Sequence, residues 1–141
     1  MRSLQAILEL EVAALSVVLQ TLHDEYSALD KRAPEALLAA SNAKADAVAH
    51  AAQLERERRE LGQSGHDRQP VVADKLFTEL KQLAADCRML NDRNGQLIRG
   101  QRRRIEGSLN VLRGRAGTPD TYGRDGATAF LRDAKTPLAS Y

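Results

Sequence analysis

The chain has 141 residues, the size of one domain, and its 43% hydrophobic and 28% charged residues are sufficient for a hydrophobic core in a soluble protein. Aromatic residues make up only 4% and tryptophan is absent, so Ala, Leu and Val dominate, which is typical of long helices and argues against aromatic-rich sheets. The net charge of +2 conceals an acidic half, residues 1–60, and a basic half, residues 61–141.

Leucine recurs at every seventh position of the first segment, at Leu8, Leu15, Leu22 and Leu29. This spacing predicts an amphipathic helix over about residues 2–32. Glu11 and Glu25 fall on the same apolar side, so the leucine seam is not a continuous hydrophobic zipper. The interruption favours packing against several helices over a simple two-stranded coil.

A second helix is predicted over about residues 34–61, because proline suits the first turn of a helix. Pro34 occupies that position, and the many alanines that follow permit close approach of a neighbouring helix. Residues 62–70 contain two glycines, a proline and otherwise only polar residues, which is typical of a loop.

The apolar period of the third segment predicts a helix over about residues 72–113. Asn94 and Gly95 would ordinarily suggest a turn, but the period passes through them without a break in phase. Such a helix is about 60 Å long, which exceeds the diameter of a compact globule of this chain length. The sequence therefore predicts an all-α fold, an elongated antiparallel bundle of three long helices within residues 1–114.

Residues 115–141 are predicted to form a linker and a short tail. The first part is rich in turn-forming residues. A short amphipathic pattern follows at Ala127, Phe130, Leu131 and Ala134. Because a helix of about eight residues is not stable alone, this pattern must dock on the bundle, dock on a partner or stay disordered.

The sequence contains no pattern typical of a catalytic or metal site. His23, His50 and His66 are too far apart in sequence to place two imidazoles on one helix face. Cys87, the single cysteine, excludes an intramolecular disulfide and falls on an apolar face, where it is a small inert hydrophobe. No phosphate-binding, dinucleotide-binding or nucleophile-elbow motif occurs. We therefore predict a protein that is not an enzyme and has no cofactor and no metal.

An arginine cluster near the end of the third segment is the strongest charge feature of the chain. Its members are Arg99, Arg102, Arg103, Arg104, Arg113 and Arg115, and Glu106 is the one acidic residue between the first and the last of them. The cluster could neutralise nucleic-acid phosphates, or it could be a solvated helix face that complements the acidic residues 1–30. No aromatic residues interleave with the arginines, which favours a structural or protein-docking role over nucleic-acid binding.

Asn94 places an amide on the stripe that also carries Leu90, Leu97 and Ile98. A buried amide costs stability unless it is hydrogen-bonded, and it can fix the register of a helix. The alternative is a partly exposed asparagine at the edge of a groove, and the sequence leaves both open.

Two motifs carry a resemblance to a known family. Residues 90–98 read Leu-Asn-Asp-Arg-Asn-Gly-Gln-Leu-Ile, and residues 121–126 read Thr-Tyr-Gly-Arg-Asp-Gly. The second helix carries Lys44 and ends in the Glu/Arg-rich residues 55–60. With the leucine-rich first helix, these features resemble the FlgN family of bacterial flagellar export chaperones over about residues 4–126.

The resemblance implies a chaperone that binds the C-terminal helical region of hook-associated (hook-filament junction) proteins. It implies that the chaperone prevents their premature assembly and delivers them to the flagellar type III export gate without catalysis. The sequence shows neither a signal-peptide pattern nor a long uncharged apolar run, which predicts a cytoplasmic protein without stable membrane insertion. Two alternatives remain: a self-associating coiled-coil scaffold that uses the leucine seam, and a nucleic-acid-binding protein that uses the arginine cluster.

A client helix could complete the three-helix bundle by burying its apolar face in a groove. The predicted client-binding residues are Asn94, Leu97, Ile98, Ile105, Leu109 and Leu112. Phe130 and Leu131 are predicted to dock on the same groove when the client is absent. Tyr122 is a predicted contact with the export gate.

Overall fold

The computed structural model describes residues 2–63 and 71–114, and nearly all of these residues are helical. The three α-helices are α1 (Leu4–Asp30), α2 (Pro34–Gln63) and α3 (Val71–Leu112). No strand occurs in these two ranges. The predicted all-α fold of three long helices is therefore confirmed. Helix α3 has 42 residues and is about 63 Å long.

A tight turn joins α1 to α2. The amide of Ala33 donates to the carbonyl of Ala28 at 2.9 Å. The amide of Arg32 donates to the carbonyl of Leu29 at 3.2 Å, which completes the hydrogen bonds of a Schellman motif. Arg32 has a φ of 51°, in the left-handed region where glycine is the usual residue. Pro34 begins α2 immediately afterwards, so that α2 runs back along α1.

Helix α1 is central, because α2 and α3 both pack along its length. Its four heptad leucines are at most 2% exposed. Leu8, Leu15 and Leu22 pack on small and branched apolar residues of the other two helices, including Val48, Ala51, Leu54, Ala73, Leu80, Ala84, Cys87 and Leu90. Because the seam is used inside the chain, the surface that a self-associating coiled-coil scaffold would need is already covered.

Helix α1 is also long and apolar enough to cross a membrane, judged by length and composition alone. The core helix of a soluble protein passes the same test, and 44% of the apolar window of α1 is buried against its neighbours. One such helix near the N-terminus is weak evidence of a membrane span, because a signal sequence also passes this test.

Two buried ion pairs align α1 with α2. The carboxylate of Glu11 accepts from Arg58 at 2.6 Å, and that of Glu25 accepts from Lys44 at 2.9 Å. Both glutamates are 0% exposed. The two glutamates are 14 residues apart on α1, and their two partners are also 14 residues apart on α2. The earlier glutamate pairs with the later cation, as antiparallel helices require. A slip of one turn would leave both carboxylates buried without a cation, so these pairs fix the register of α2 on α1.

Three side chains of α3 contact backbone carbonyls of α1 at equal intervals. Each donor lies 72 residues after its acceptor, and the donors are seven residues apart. The pairs are Cys87 Sγ to Leu15 O at 3.7 Å, Asn94 Nδ2 to Leu22 O at 2.9 Å, and Gln101 Nε2 to Leu29 O at 2.9 Å. Helix α3 therefore runs parallel to α1 in one fixed register.

Helix α3 extends beyond the end of α1. Helix α1 ends at Asp30, close to the last of these contacts at Gln101, whereas α3 continues to Leu112. Residues 102–112, which we call the overhang, add about 17 Å of helix past that contact. The overhang and the α1–α2 turn together form the open end of the bundle.

Candidate protein-binding site at the open end of the bundle

A cavity of about 650 Å³, which we call the end groove, lies between the overhang and the α1–α2 turn. Its apolar lining comes from both sides and consists of Ala28, Leu29, Ala33, Pro34, Leu37, Ile105 and Leu109. Its polar lining consists of Arg32, Gln101, Arg104 and Ser108. Apolar walls beside basic side chains are the surroundings that an amphipathic helix requires.

The structure brings two of the six predicted client-binding residues together in the end groove. These are Ile105 and Leu109, which are 62% and 41% exposed. Leu112 lies about one turn further along the overhang and is 83% exposed, but it does not line the cavity. Leu97 lines a second, smaller cavity, and Ile98 is half-buried. Only part of the predicted client-binding set therefore lines the end groove.

Asn94 lies inside the bundle rather than on the groove. Its side chain is 0% exposed, and its Nδ2 donates to the carbonyl of Leu22 at 2.9 Å and to Oε1 of Glu25 at 3.1 Å. A client could reach it only by separating α3 from α1. Of the two readings that the sequence left open, the structure shows the buried, hydrogen-bonded amide. The expectation that Asn94 contacts a client directly does not fit this position.

Asn94 belongs to a buried polar cluster that joins all three helices. Besides Asn94, Glu25 Oε1 accepts from Lys44 Nζ at 3.2 Å, and Glu25 Oε2 accepts from Ser41 Oγ at 3.2 Å. Lys44 Nζ also donates to Asn91 Oδ1 at 3.1 Å. The cluster lies about two helical turns from Gln101, where the overhang begins. The cluster therefore connects the three helices at a level close to the end groove.

The second cavity, of about 300 Å³, borders the end groove and is more polar. Tyr26 contributes to its lining and lies under the guanidinium of Arg93, with 3.9 Å between the guanidinium carbon and the ring centroid. Arg32 and Arg104 line both cavities. The two arginines therefore lie where the cavities meet.

The thiol, the histidines and the carboxylates of the described residues bear on the predicted absence of a catalytic or metal site. Burial raises the pKa of the Cys87 thiol to about 11, with a smaller contribution from the charge of Asp86, so the thiol stays protonated at neutral pH. Residues 2–63 and 71–114 contain no cluster of three or more His, Cys, Asp or Glu that could hold a metal ion. His23 and His50 are exposed.

Two of the predicted client-binding residues, Ile105 and Leu109, line the α3 wall of the end groove, and no residue of the opposite wall was among those predicted. Ala28 comes from the last turn of α1, and Pro34 and Leu37 come from the first turn of α2. The one available signal is the difference in helix length, because a third helix longer than the first must project past one of its two ends. The predicted tail contacts Phe130 and Leu131, and the predicted gate contact Tyr122, lie outside the described residues.

Comparison with known proteins gives one family. The model of the family described as FlgN protein matches residues 1–129 of the 141. No curated protein and no solved structure matches the chain. The match includes all three helices and both walls of the end groove. The chain therefore belongs to the FlgN family, whose members are flagellar export chaperones.

Proposed function

We propose that this FlgN-family protein is a cytoplasmic chaperone that binds the C-terminal helical region of hook-associated proteins in the end groove. In this proposal it prevents premature assembly of the client and delivers it to the flagellar type III export gate. The observation that carries the proposal is the row of exposed apolar side chains on the overhang, opposite the apolar α1–α2 turn.

An apolar client face would supply the packing partner that the overhang lacks at the open end. In the packed part of the bundle α3 is covered by α1, but along the overhang no helix of the described residues takes that place. A client helix laid in the end groove would act as the missing neighbour for Ile105 and Leu109. Full burial of such a side chain from complete exposure is worth about 1.5–3 kcal/mol, and Ile105 and Leu109, which are 62% and 41% exposed, would each gain roughly half of that. Part of that energy is offset by ordering a client segment that is disordered before assembly.

The same contact explains how a chaperone could prevent assembly without a chemical step. An amphipathic segment that packs against the overhang cannot pack against another subunit through the same face. The polar cluster connects the three helices at a level close to the groove. Delivery to the gate requires a further contact, for which Tyr122 remains our candidate. The tail residues Phe130 and Leu131 remain candidates to cover the groove when it is empty.

Co-expression with a hook-associated protein from the same bacterium tests the proposal. The full-length protein is purified by an affinity tag, and the co-purified client is quantified for wild type and for Ile105→Asp/Leu109→Asp. We expect the double variant to lose at least about 90% of the client, because two buried carboxylates would each cost several kcal/mol at the interface.

Met89→Asp is the matched control. Met89 is 64% exposed on the packed part of α3, so the same change of an exposed apolar residue is made away from the groove. Its client yield should equal that of wild type, and circular dichroism should show equal helix content for all three proteins. Full client retention by the double variant would remove the end groove from the proposal.

A further inference from the structure

We infer that the end groove selects an amphipathic helix that carries acidic side chains beside its apolar face, and that Arg32 and Arg104 bind those carboxylates. The inference rests on the proposed function, because it names the chemistry of the segment that the groove takes. Both arginines lie where the end groove and the second cavity meet. A helix lying along the overhang passes both of them.

The backbone of Arg32 is the first supporting observation. Its φ of 51° is unfavourable for a residue with a Cβ, and glycine normally occupies this position of a Schellman motif. Glycine would form the same turn without strain, but it would leave the groove without a side chain at this point. Local strain of this kind concentrates at binding sites, where the side chain it presents has a role.

The charge balance around Arg104 is the second observation. Between residues 99 and 113 there are five arginines and one acid, Glu106, which pairs with Arg102 at 3.5 Å. Within residues 2–63 and 71–114, no carboxylate forms an ion pair with Arg32 or Arg104. Asp30 is the one acid among the described residues that line the two cavities. Carboxylates on a docked helix would therefore form charge-assisted hydrogen bonds with cations that are otherwise solvated.

The combination of surfaces favours a protein helix over a nucleic acid. No aromatic side chain lines the end groove, so unstacked bases would find no stacking partner there. The groove instead places aliphatic side chains next to the arginines. The chain's own residues 115–141 hold four basic and three acidic residues, which makes that segment a poorer electrostatic match than an acid-rich helix.

A pair of synthetic peptides tests the inference on the full-length chain. Both are fluorescein-labelled amphipathic helices of about 20 residues with the same apolar face. The positions beside that face are glutamate in one peptide and glutamine in the other. By fluorescence anisotropy at about 50 mM salt, we expect the glutamate peptide to bind at least tenfold more tightly. At about 500 mM salt, the advantage should fall below threefold because exposed charges are screened.

The variant Arg32→Gln/Arg104→Gln should abolish the advantage of the glutamate peptide, measured as the ratio of the two peptides' affinities for that variant. Arg56→Gln/Arg88→Gln is the control, because it makes the same charge change at exposed positions of α2 and of the packed part of α3. An equal loss in the control would overturn the inference, since the preference would then reflect net charge. Equal binding of both peptides, with both lost in Ile105→Asp, would overturn the inference and leave the proposed function intact.

The remaining outcomes identify other occupants, and each would overturn the inference. A variant Phe130→Ser/Leu131→Ser that binds both peptides equally and more than tenfold more tightly than wild type would mean that the chain's own tail, and not the acidic side chains of the peptide, sets the affinity. A concentration-dependent dimer that Leu109→Asp dissociates would assign it to a second copy. A labelled DNA duplex that binds as tightly as the glutamate peptide, and is lost in Arg32→Gln/Arg104→Gln, would assign it to a nucleic acid.

Discussion

The packed part of α3, from its start to Gln101, and the overhang share one heptad spacing but have opposite surroundings. In the packed part, the positions that face α1 are buried, and towards the open end they become polar, as Asn94 and Gln101 show. In the overhang the apolar residues are exposed, with Ile105 at 62% and Leu112 at 83%. Towards the open end, α3 therefore has polar side chains in its contact with α1 and apolar side chains exposed to solvent.

This inversion separates two tasks. Buried polar groups specify register, because each has only one arrangement of partners that satisfies it. Exposed apolar groups contribute little to the stability of the free chain but are available to a partner. The buried polar contacts that fix the register of α3 therefore lie next to the exposed apolar surface of the overhang. Because the register is fixed, the overhang extends a defined length beyond α1.

Removing the cation of the polar cluster should have the largest effect. Lys44→Met leaves the Glu25 carboxylate buried with only Ser41 and Asn94 of its recorded partners, and breaking a buried ion pair in this way typically costs about 3–5 kcal/mol. Urea unfolding of full-length protein at neutral pH, followed by circular dichroism, measures the loss. If the midpoint for Lys44→Met equals that of wild type, the polar cluster does not hold the packed part together.

The double variant Glu25→Leu/Lys44→Met separates charge from packing. Replacing both members of a buried ion pair by apolar residues is often nearly neutral. We therefore expect the double variant to be more stable than Lys44→Met alone by at least about 1 kcal/mol. A double variant that is less stable than the single one would mean that Glu25 acts mainly through its other hydrogen bonds.

The same truncation in the two parts of α3 should give opposite results. Leu80→Ala removes a side chain that is 2% exposed in the packed part and should cost about 2–5 kcal/mol in urea unfolding. Leu109→Ala removes one that is 41% exposed on the overhang and should change stability by less than about 0.5 kcal/mol. Client capture should follow the reverse order when measured at a temperature where both proteins are folded. Comparable losses of stability would show that the overhang is packed in solution.

Periodicity was sufficient to predict the helices and their apolar faces. The heptad leucines of α1 and the continuous α3 follow directly from spacing, and Glu11 and Glu25 were recognised as interruptions of the seam. Their partners were not found, because pairing depends on how far α2 is displaced along α1, which the length of the turn decides. One signal was present in the sequence: Lys44 and Arg58 are 14 residues apart, as the two glutamates are.

The candidate site was predictable on one side only. The apolar stripe of α3 predicts Ile105 and Leu109. Pro34 and Leu37 line the groove only because the α1–α2 turn lies at that level along the axis of α3. That position depends on the register set by Gln101 and Leu29, and a side-chain contact with a backbone carbonyl leaves no pattern in the sequence. For the same reason the sequence could not decide whether Asn94 is buried.

The smallest expected effect tests whether the two parts of α3 unfold together. A Cβ added at Gly107 in the overhang meets nothing within 4 Å, and the same holds at Gly100 in the packed part. Alanine at either position favours the helix by about 1 kcal/mol. We expect Gly100→Ala to raise the free energy of global unfolding by up to that amount. Gly107→Ala should leave it unchanged and instead slow amide hydrogen exchange in the overhang about fivefold, because a helix end that extends past its packing partner opens locally. An equal rise in the free energy of global unfolding for both variants would mean that the overhang unfolds together with the bundle. The boundary at Gln101 would then mark a change in packing but not a change in local stability.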